Sequence, residues 1–427
     1  MTFASMQLMP QLLRAVEQSG YTTPTPIQQA TIPLVLSGKD VLGCAQTGTG
    51  KTAAFALPIL QRLAKRPVRP GEPRPIRALI LTPTRELAQQ IQDNFVAYGK
   101  QLAIFSCVLF GGVNQTAQVN ALHRGADIVV ACPGRLLDLM GQGYIRLDYV
   151  ETFVLDEADR MLDMGFIHDV RKIAAKLPEK HQTLLFSATI DDAVNKHAKT
   201  LMRDPARVEV AHRGDVADTI EQYLIRTPKL ARPELLRALL EEKGSRRVII
   251  FTRTRRGADT VCRRLKKAGY TAEPIHANRT QNARKRTLER FSDGEIDIVV
   301  ATDVLARGID VDQVAYVVNY DLPTPPESYV HRIGRTGRAG EAGFAVSFVT
   351  PETEEELAAI EKLVKQKIPQ LELEGFDRED AERTAAQKQA KWEAKEDPDI
   401  LQAKKELAAR ASSWRASQQK WEAANRD

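Results

Sequence analysis

The run Ala45-Gln46-Thr47-Gly48-Thr49-Gly50-Lys51-Thr52 holds the residue types that bind a nucleoside triphosphate. Its glycines let backbone N–H groups fold around phosphates ahead of a helix N-terminus, Lys51 can reach the β and γ phosphates, and the Thr52 hydroxyl suits Mg²⁺. Ala45 takes the first position, where such loops usually carry Gly. Further along, Asp156-Glu157-Ala158-Asp159 closes an apolar run. Asp156 is placed for the Mg²⁺ side of triphosphate hydrolysis and Glu157 for activating the attacking water. Two adjacent acids alone would be an ordinary strand-ending turn; the loop upstream gives them their meaning.

Loops of this kind need strands to aim them. Apolar runs at 40–45, 78–83, 127–132, 152–157 and 183–189 alternate with helical patterns, which predicts βαβ units around a buried parallel sheet. The pattern restarts at 246–252, 297–303, 315–321 and 344–350. The polar stretch between the two series predicts a linker at 208–218, so the chain reads as two α/β domains binding ligands at the carboxyl ends of their strands. From 369 to 427 the strand signal stops, and Ala, Gln, Lys and Glu predict a charged tail of solvated helix or disorder. Trp392, Trp414 and Trp421 all fall there, either packed locally or on the body, or forming a face for a protein partner.

Composition sets outer limits. A chain of 427 residues exceeds what one core normally holds. No run approaches the roughly 18 apolar residues of a membrane span. The first residues lack the basic-then-apolar pattern of a secretory signal, so a cytoplasmic protein is expected. Four cysteines without CxxC spacing are expected to be reduced thiols, not disulfides or zinc ligands. Net charge is +6, yet 369–427 carries eleven basic against thirteen acidic residues. The positive balance therefore belongs to the body, which suits a polyanionic partner.

Nine motifs in order then carry a resemblance: PTPIQ (24–28), AQTGTGKT (45–52), PTRELA (83–88), GG (111–112), PGR (133–135), DEAD (156–159), SAT (187–189), ATDVLARGID (301–310) and HRIGRTGR (331–338). From Phe3 to about residue 350 the chain resembles the DEAD-box ATP-dependent RNA helicases, and DRMLDMGF with VNYDLP is similar to their bacterial RhlE-type subgroup. The resemblance implies two tandem RecA-like domains: a glutamine-motif region at 1–29, an ATP-binding domain at 30–207 and a C-terminal helicase domain at 219–368. It implies RNA-dependent ATP hydrolysis that locally unwinds short duplexes or remodels RNA–protein complexes, with ATP and Mg²⁺ as cofactors and a monomer as the working unit. An ATP-gated RNA clamp is the alternative; a DNA-translocating motor is disfavoured by Gln28 and Asp159.

Roles follow residue by residue from the resemblance. Gln28 is expected to read the adenine edge, with Phe3 stacked on the ring, which favours ATP over GTP. Asp159, Ser187 and Thr189 would couple hydrolysis to strand separation. Arg335 and Arg338 would act as arginine fingers, each stabilising charge on the transferred phosphoryl only when the domains close, and Asp310 would contact the ribose or support them. RNA backbone contacts are expected from Pro83, Thr84, Arg85, Gly112, Gly134 and Arg135, and from Thr252, Arg253, Thr302 and Gly308 across the linker. Such contacts are independent of sequence and sensitive to salt, and 2′-hydroxyl contacts would select RNA. The clusters 253–256, 263–267 and 283–286 either enlarge the positive surface or are solvated helix faces. Cys132, Ala277 and Leu305 depart from the family pattern; they bear on RNA affinity more than on phosphate chemistry.

Overall fold

The computed structural model describes residues 2–45, 49–69, 72–190, 192–210, 220–303, 314–337, 343–374, 376, 380, 383, 384, 386 and 387. The first sheet contains β1 (Val41–Cys44), β2 (Ala78–Leu81), β3 (Ser106–Leu109), β4 (Ile128–Ala131), β5 (Thr152–Leu155), β6 (Gln182–Ser187) and β7 (Ala206–Glu209), in spatial order β3-β4-β2-β5-β6-β1-β7. The second contains β8 (Ile220–Arg226), β9 (Val248–Phe251), β10 (Ala272–Ile275), β11 (Ile298–Ala301), β12 (Tyr316–Asn319) and β13 (Gly343–Val349), in order β10-β11-β9-β12-β13-β8. Every pairing within both sheets is parallel. Two RecA-like α/β domains are thus present.

Each sheet separates two apolar clusters, and the strands feed them alternately. In β2, Ala78 and Ile80 face one cluster while Leu79 and Leu81 face the other. In β9, Ile249 and Phe251 oppose Val248 and Ile250 in the same way. This two-residue period with both faces covered produces the near-continuous Val, Ile and Leu runs of central strands. The nine strands expected from the sequence are all present. The four that were not expected, β3, β7, β8 and β10, are the four sheet edges. Their partly solvated faces, such as the half-buried Ser106 and Val108 of β3, replace the apolar run with a mixed one.

Three boundaries differ from the sequence expectation. Residues 208 and 209 lie in β7, and the Val210 N–H donates to the Cys44 carbonyl at 3.0 Å, so the first domain continues into the expected linker. Residues 369–374 and 376, expected to be tail, pack on the second domain. Leu224 N–H donates to the Pro369 carbonyl (2.9 Å), Leu371 N–H to the Leu224 carbonyl (2.8 Å), and Leu371, Leu373 and Phe376 cover the cluster behind β8. The N-terminal region is no separate unit: Phe3, Met6, Leu8 and Leu12 enter the first core, and Gln61 accepts from Met9 N–H at 2.7 Å while donating to the Gln7 carbonyl at 2.9 Å. The three tryptophans lie outside the described residues.

Candidate active site

Because all strands run parallel, their carboxyl ends share one edge of each sheet, and spatial order sorts the motifs along it. In the first domain the loops after β3, β4 and β2 bring Gly112, Gly134 with Arg135, and Pro83 to Arg85 to one half of the edge. The loops after β5, β6 and β1 bring Asp156 to Asp159, Ser187 to Thr189, and the phosphate loop to the other half. The residues expected at nucleotide and at nucleic acid therefore separate into two adjacent groups.

Within the nucleotide half, Gly50 caps the helix Lys51–Ala64 with φ +88°, a left-handed conformation that suits Gly. A Cβ there would overlap the Gln28 amide. Gln28 is buried; its Oε1 accepts from Thr25 N–H at 3.0 Å in a capping box, and its Nε2 donates to the Gly50 carbonyl at 3.1 Å. An amide has two lone pairs and two hydrogens, so one acceptor and one donor site remain for an adenine edge. Phe3 is 5% exposed and packs mainly against protein. The Lys51 ammonium is also buried and donates to the Ala45 carbonyl at 2.9 Å, a neutral acceptor that phosphate oxygens would outcompete.

Asp156 is 2% exposed, and burial pushes its carboxyl up to about 6, against the pull of Lys51 and with a further push from Glu157. It accepts from Glu157 N–H at 3.1 Å. Glu157 has φ +55° and ends in a buried ion pair with Arg160, Oε2 to Nη1 at 3.1 Å. Asp159 accepts from Ala188 N–H (3.2 Å) and the Thr189 hydroxyl (3.4 Å), while its own N–H donates to Ser187 Oγ at 3.3 Å. The expected triad of Asp159, Ser187 and Thr189 is assembled. Asp156 and Thr52 offer only hard oxygens, a donor set that fits Mg²⁺. Among the described residues no three His, Cys or acidic side chains gather as a metal cage, so the protein would supply one or two oxygens and the phosphates others.

On the nucleic-acid half, Thr84 caps the helix Arg85–Tyr98 through Leu87 N–H at 3.4 Å. The Arg85 guanidinium fills the space a Cβ at Gly112 would need, and Gly112 has φ +74°. Gly134 faces open space. Arg135 donates to the Val113 carbonyl at 3.4 Å and pairs with Asp138 at 3.6 Å, and its buried Nη1 has no hydrogen-bond partner. Cys132, beside Pro133, is a free thiol that burial pushes up to about 12.

The second domain holds its residues differently. Thr252 is fully buried and donates to the Thr254 carbonyl at 3.2 Å, and Thr302 is buried at the end of β11. Arg253 is tied to the Leu322 carbonyl (3.1 Å) and Glu356 (3.2 Å), with its backbone N–H on Asp321 (2.9 Å). Arg335 is 1% exposed, and its Nε donates to the His331 carbonyl at 3.3 Å. Gln46, Thr47, Gly48, Gly308, Asp310 and Arg338 lie outside the described residues.

Three buried, ion-paired arginines were not singled out from the sequence. Arg332, fully buried, pairs with Asp303 at 2.6 and 3.0 Å and donates to the Asp321 carbonyl at 2.6 Å. Arg160 lies three residues after Glu157, a helical ion-pair spacing that could have flagged it. Arg284, from a cluster open to reading as a solvated face, instead crosses between domains to Glu86 at 2.8 Å, with both side chains under 8% exposed. Burial pushes its pKa down and Glu86 opposes that shift. By contrast, Arg255, Arg256, Arg263, Arg264, Lys266 and Lys267 are exposed, as are Lys285 and Arg286.

Residues 25–197 match the DEAD/DEAH box helicase family and 231–340 match the helicase conserved C-terminal domain. The DEAD-box ATP-dependent RNA helicase CshA of Streptococcus pneumoniae is 44% identical over 368 residues, 86% of this chain and 69% of that protein. The chain is a DEAD-box helicase. Among solved structures, the helicase resembles S. cerevisiae Dbp5 bound to RNA and ADP BeF3, with TM-score 0.79 at 33% identity, covering 90% of this chain and 99% of that one. A DEAD box protein from Methanococcus jannaschii is 38% identical, covering 87% and 99%, yet superposes with TM-score only 0.53.

Proposed function

We propose that this helicase is an RNA-dependent ATPase that locally separates short RNA duplexes or remodels RNA–protein complexes through closure of its two domains. The observation that supports this reading is the split edge: the residues expected at a triphosphate and those expected at a nucleic-acid backbone lie side by side along one sheet. The buried Glu86–Arg284 pair and the superposition on an RNA- and ADP BeF3-bound relative support a closed arrangement as the RNA- and nucleotide-binding state.

In this reading Gln28 recognises adenine, and Lys51 leaves the Ala45 carbonyl for the β and γ phosphates. Asp156 and Thr52 would hold Mg²⁺, which would supply charge neutralisation at the phosphates. Glu157, fixed by Arg160, orients the attacking water, and Arg335 with Arg338 stabilises the transferred phosphoryl. Asp159, Ser187 and Thr189 relay the change, and the RNA-facing residues hold the sugar-phosphate backbone. ATP and RNA tighten each other by the same factor, because coupling between binding sites is reciprocal. We place the domains at 1–210 and about 220–376, with the linker between them. DRMLDMGF and VNYDLP support the RhlE-type subgroup, although the relative reported above is a CshA helicase. A cytoplasmic monomer whose distal tail meets protein partners completes the proposal; no helix among the described residues is long and apolar enough to cross a membrane.

Steady-state ATP hydrolysis with Mg²⁺, without nucleic acid, with single-stranded RNA and with DNA of the same sequence tests it. Stimulation by RNA alone, followed by ATP-dependent strand displacement, is expected. Turnover indifferent to RNA refutes RNA dependence, and stimulated turnover without displacement leaves the RNA clamp.

A further inference from the structure

A groove of about 790 Å³ opens on the second domain between the helices Arg232–Lys243 and Arg255–Lys267. Leu236, Leu265 and Tyr270 give it an apolar wall, and Leu230 at its mouth is 44% exposed. Its rim carries Lys229, Arg237 and Arg264 against Glu234, with Arg237 also 3.4 Å from Glu241. An apolar slot of this size with a basic rim fits an aromatic anchor flanked by acids.

The chain supplies one. We propose that residues 392–401 of the tail, Trp-Glu-Ala-Lys-Glu-Asp-Pro-Asp-Ile-Leu, dock in this groove with Trp392 as the anchor. Three observations select that segment. The chain already runs along the same cluster: Leu371, Leu373 and Phe376 pack on it, and Glu374 N–H donates to Glu242, on one groove helix, at 2.8 Å. The reach suffices, since the stretch from Phe376 to Trp392 spans roughly 24 Å even if helical, against ~18 Å for the whole Arg232–Lys243 helix. Charge separates the candidates: 392–401 holds four acids and one base, whereas 402–421, which contains Trp414 and Trp421, holds five bases and one acid and would be repelled by the rim. Tethering raises the effective concentration of the segment, so a modest interface is enough.

No tryptophan lies outside the tail, so tryptophan emission reports on the tail alone. In the full chain carrying Trp414→Phe and Trp421→Phe, Trp392 emission is expected to be blue-shifted from that of the urea-unfolded protein and shielded from iodide. Leu230→Glu or Arg264→Glu, both at exposed positions, should shift emission to the red with ATP turnover retained. Adding Glu396→Lys to Arg264→Glu should restore the blue shift. Emission already that of a solvated indole, or unchanged by the groove variants, overturns the proposal. A blue shift that vanishes on dilution overturns it too, because the occupant is then a second copy of the chain.

Discussion

The two domains share a sheet architecture but hold their chemistry differently. In the first, the phosphate loop, the acids and the Ser-Ala-Thr turn meet at three neighbouring strand ends, β1, β6 and β5, and are cross-linked by hydrogen bonds: Ala45 N–H donates to the Ser187 carbonyl, and Asp159 bonds Ser187 Oγ and Ala188 N–H. In the second, the arginines are neutralised inside their own domain or at the seam: Arg332 by Asp303, Arg253 by Glu356, Arg284 by Glu86. A site assembled within one domain can bind its ligand in any arrangement of the two. In the proposed cycle, groups contributed from the other domain would act only after closure, which would make hydrolysis wait for RNA.

Arg335→Lys should separate those two roles most sharply, with turnover falling on the order of 10³-fold while ATP binding by the first domain survives; unimpaired turnover would remove Arg335 from the chemistry. Lys51→Ala tests the self-contained half, with a loss on the order of 10² to 10³ and weakened nucleotide binding even in the isolated first domain. For the seam, Arg284→Gln leaves Glu86 buried without its cation, costing on the order of 3 kcal/mol. That corresponds to roughly 100-fold less coupling between ATP and RNA binding, and equal coupling in both proteins would show that the pair is incidental.

Asp156 gives a pH signature confined to the first domain. Its folded pKa of about 6 exceeds the ordinary 3.8, so the folded protein binds that proton more tightly than the unfolded chain. Stability without nucleotide or metal should therefore fall as pH rises from about 4 to 6, by about 3 kcal/mol in total from this group. Asp156→Asn should flatten this dependence in denaturant titrations and raise stability at pH 8 while abolishing turnover. The smallest effect belongs to Gly50→Ala, where a left-handed φ and displacement of the Gln28 amide cost about 1–2 kcal/mol; the KM for ATP should rise more than kcat falls.

Legibility followed locality. The phosphate loop and the three acids and one alanine at 156–159 are contiguous, so residue types alone named them, and their flanking strands are central and apolar enough to be seen. Arg160 and Arg284 were missed because a surface arginine and a buried one look alike until the partner carboxylate is known. Edge strands β3, β7, β8 and β10 were missed because half-solvated strands need no continuous apolar run. The start of the tail was misplaced for a related reason: Leu371, Leu373 and Phe376 are too sparse to announce a packed segment until a partner face covers them.

The sequence by itself determined the reaction chemistry, the two-domain α/β plan and the parallel sheets, since each depends on residues adjacent in the chain or on periodicity. Tertiary structure alone decided which motifs became neighbours. Strand order β3-β4-β2-β5-β6-β1-β7 is not chain order, and it carries the motifs after β1 and β6 to the same side as those after β5. Crossover connections choose that permutation through packing of helices on both faces, a long-range property that no local window contains.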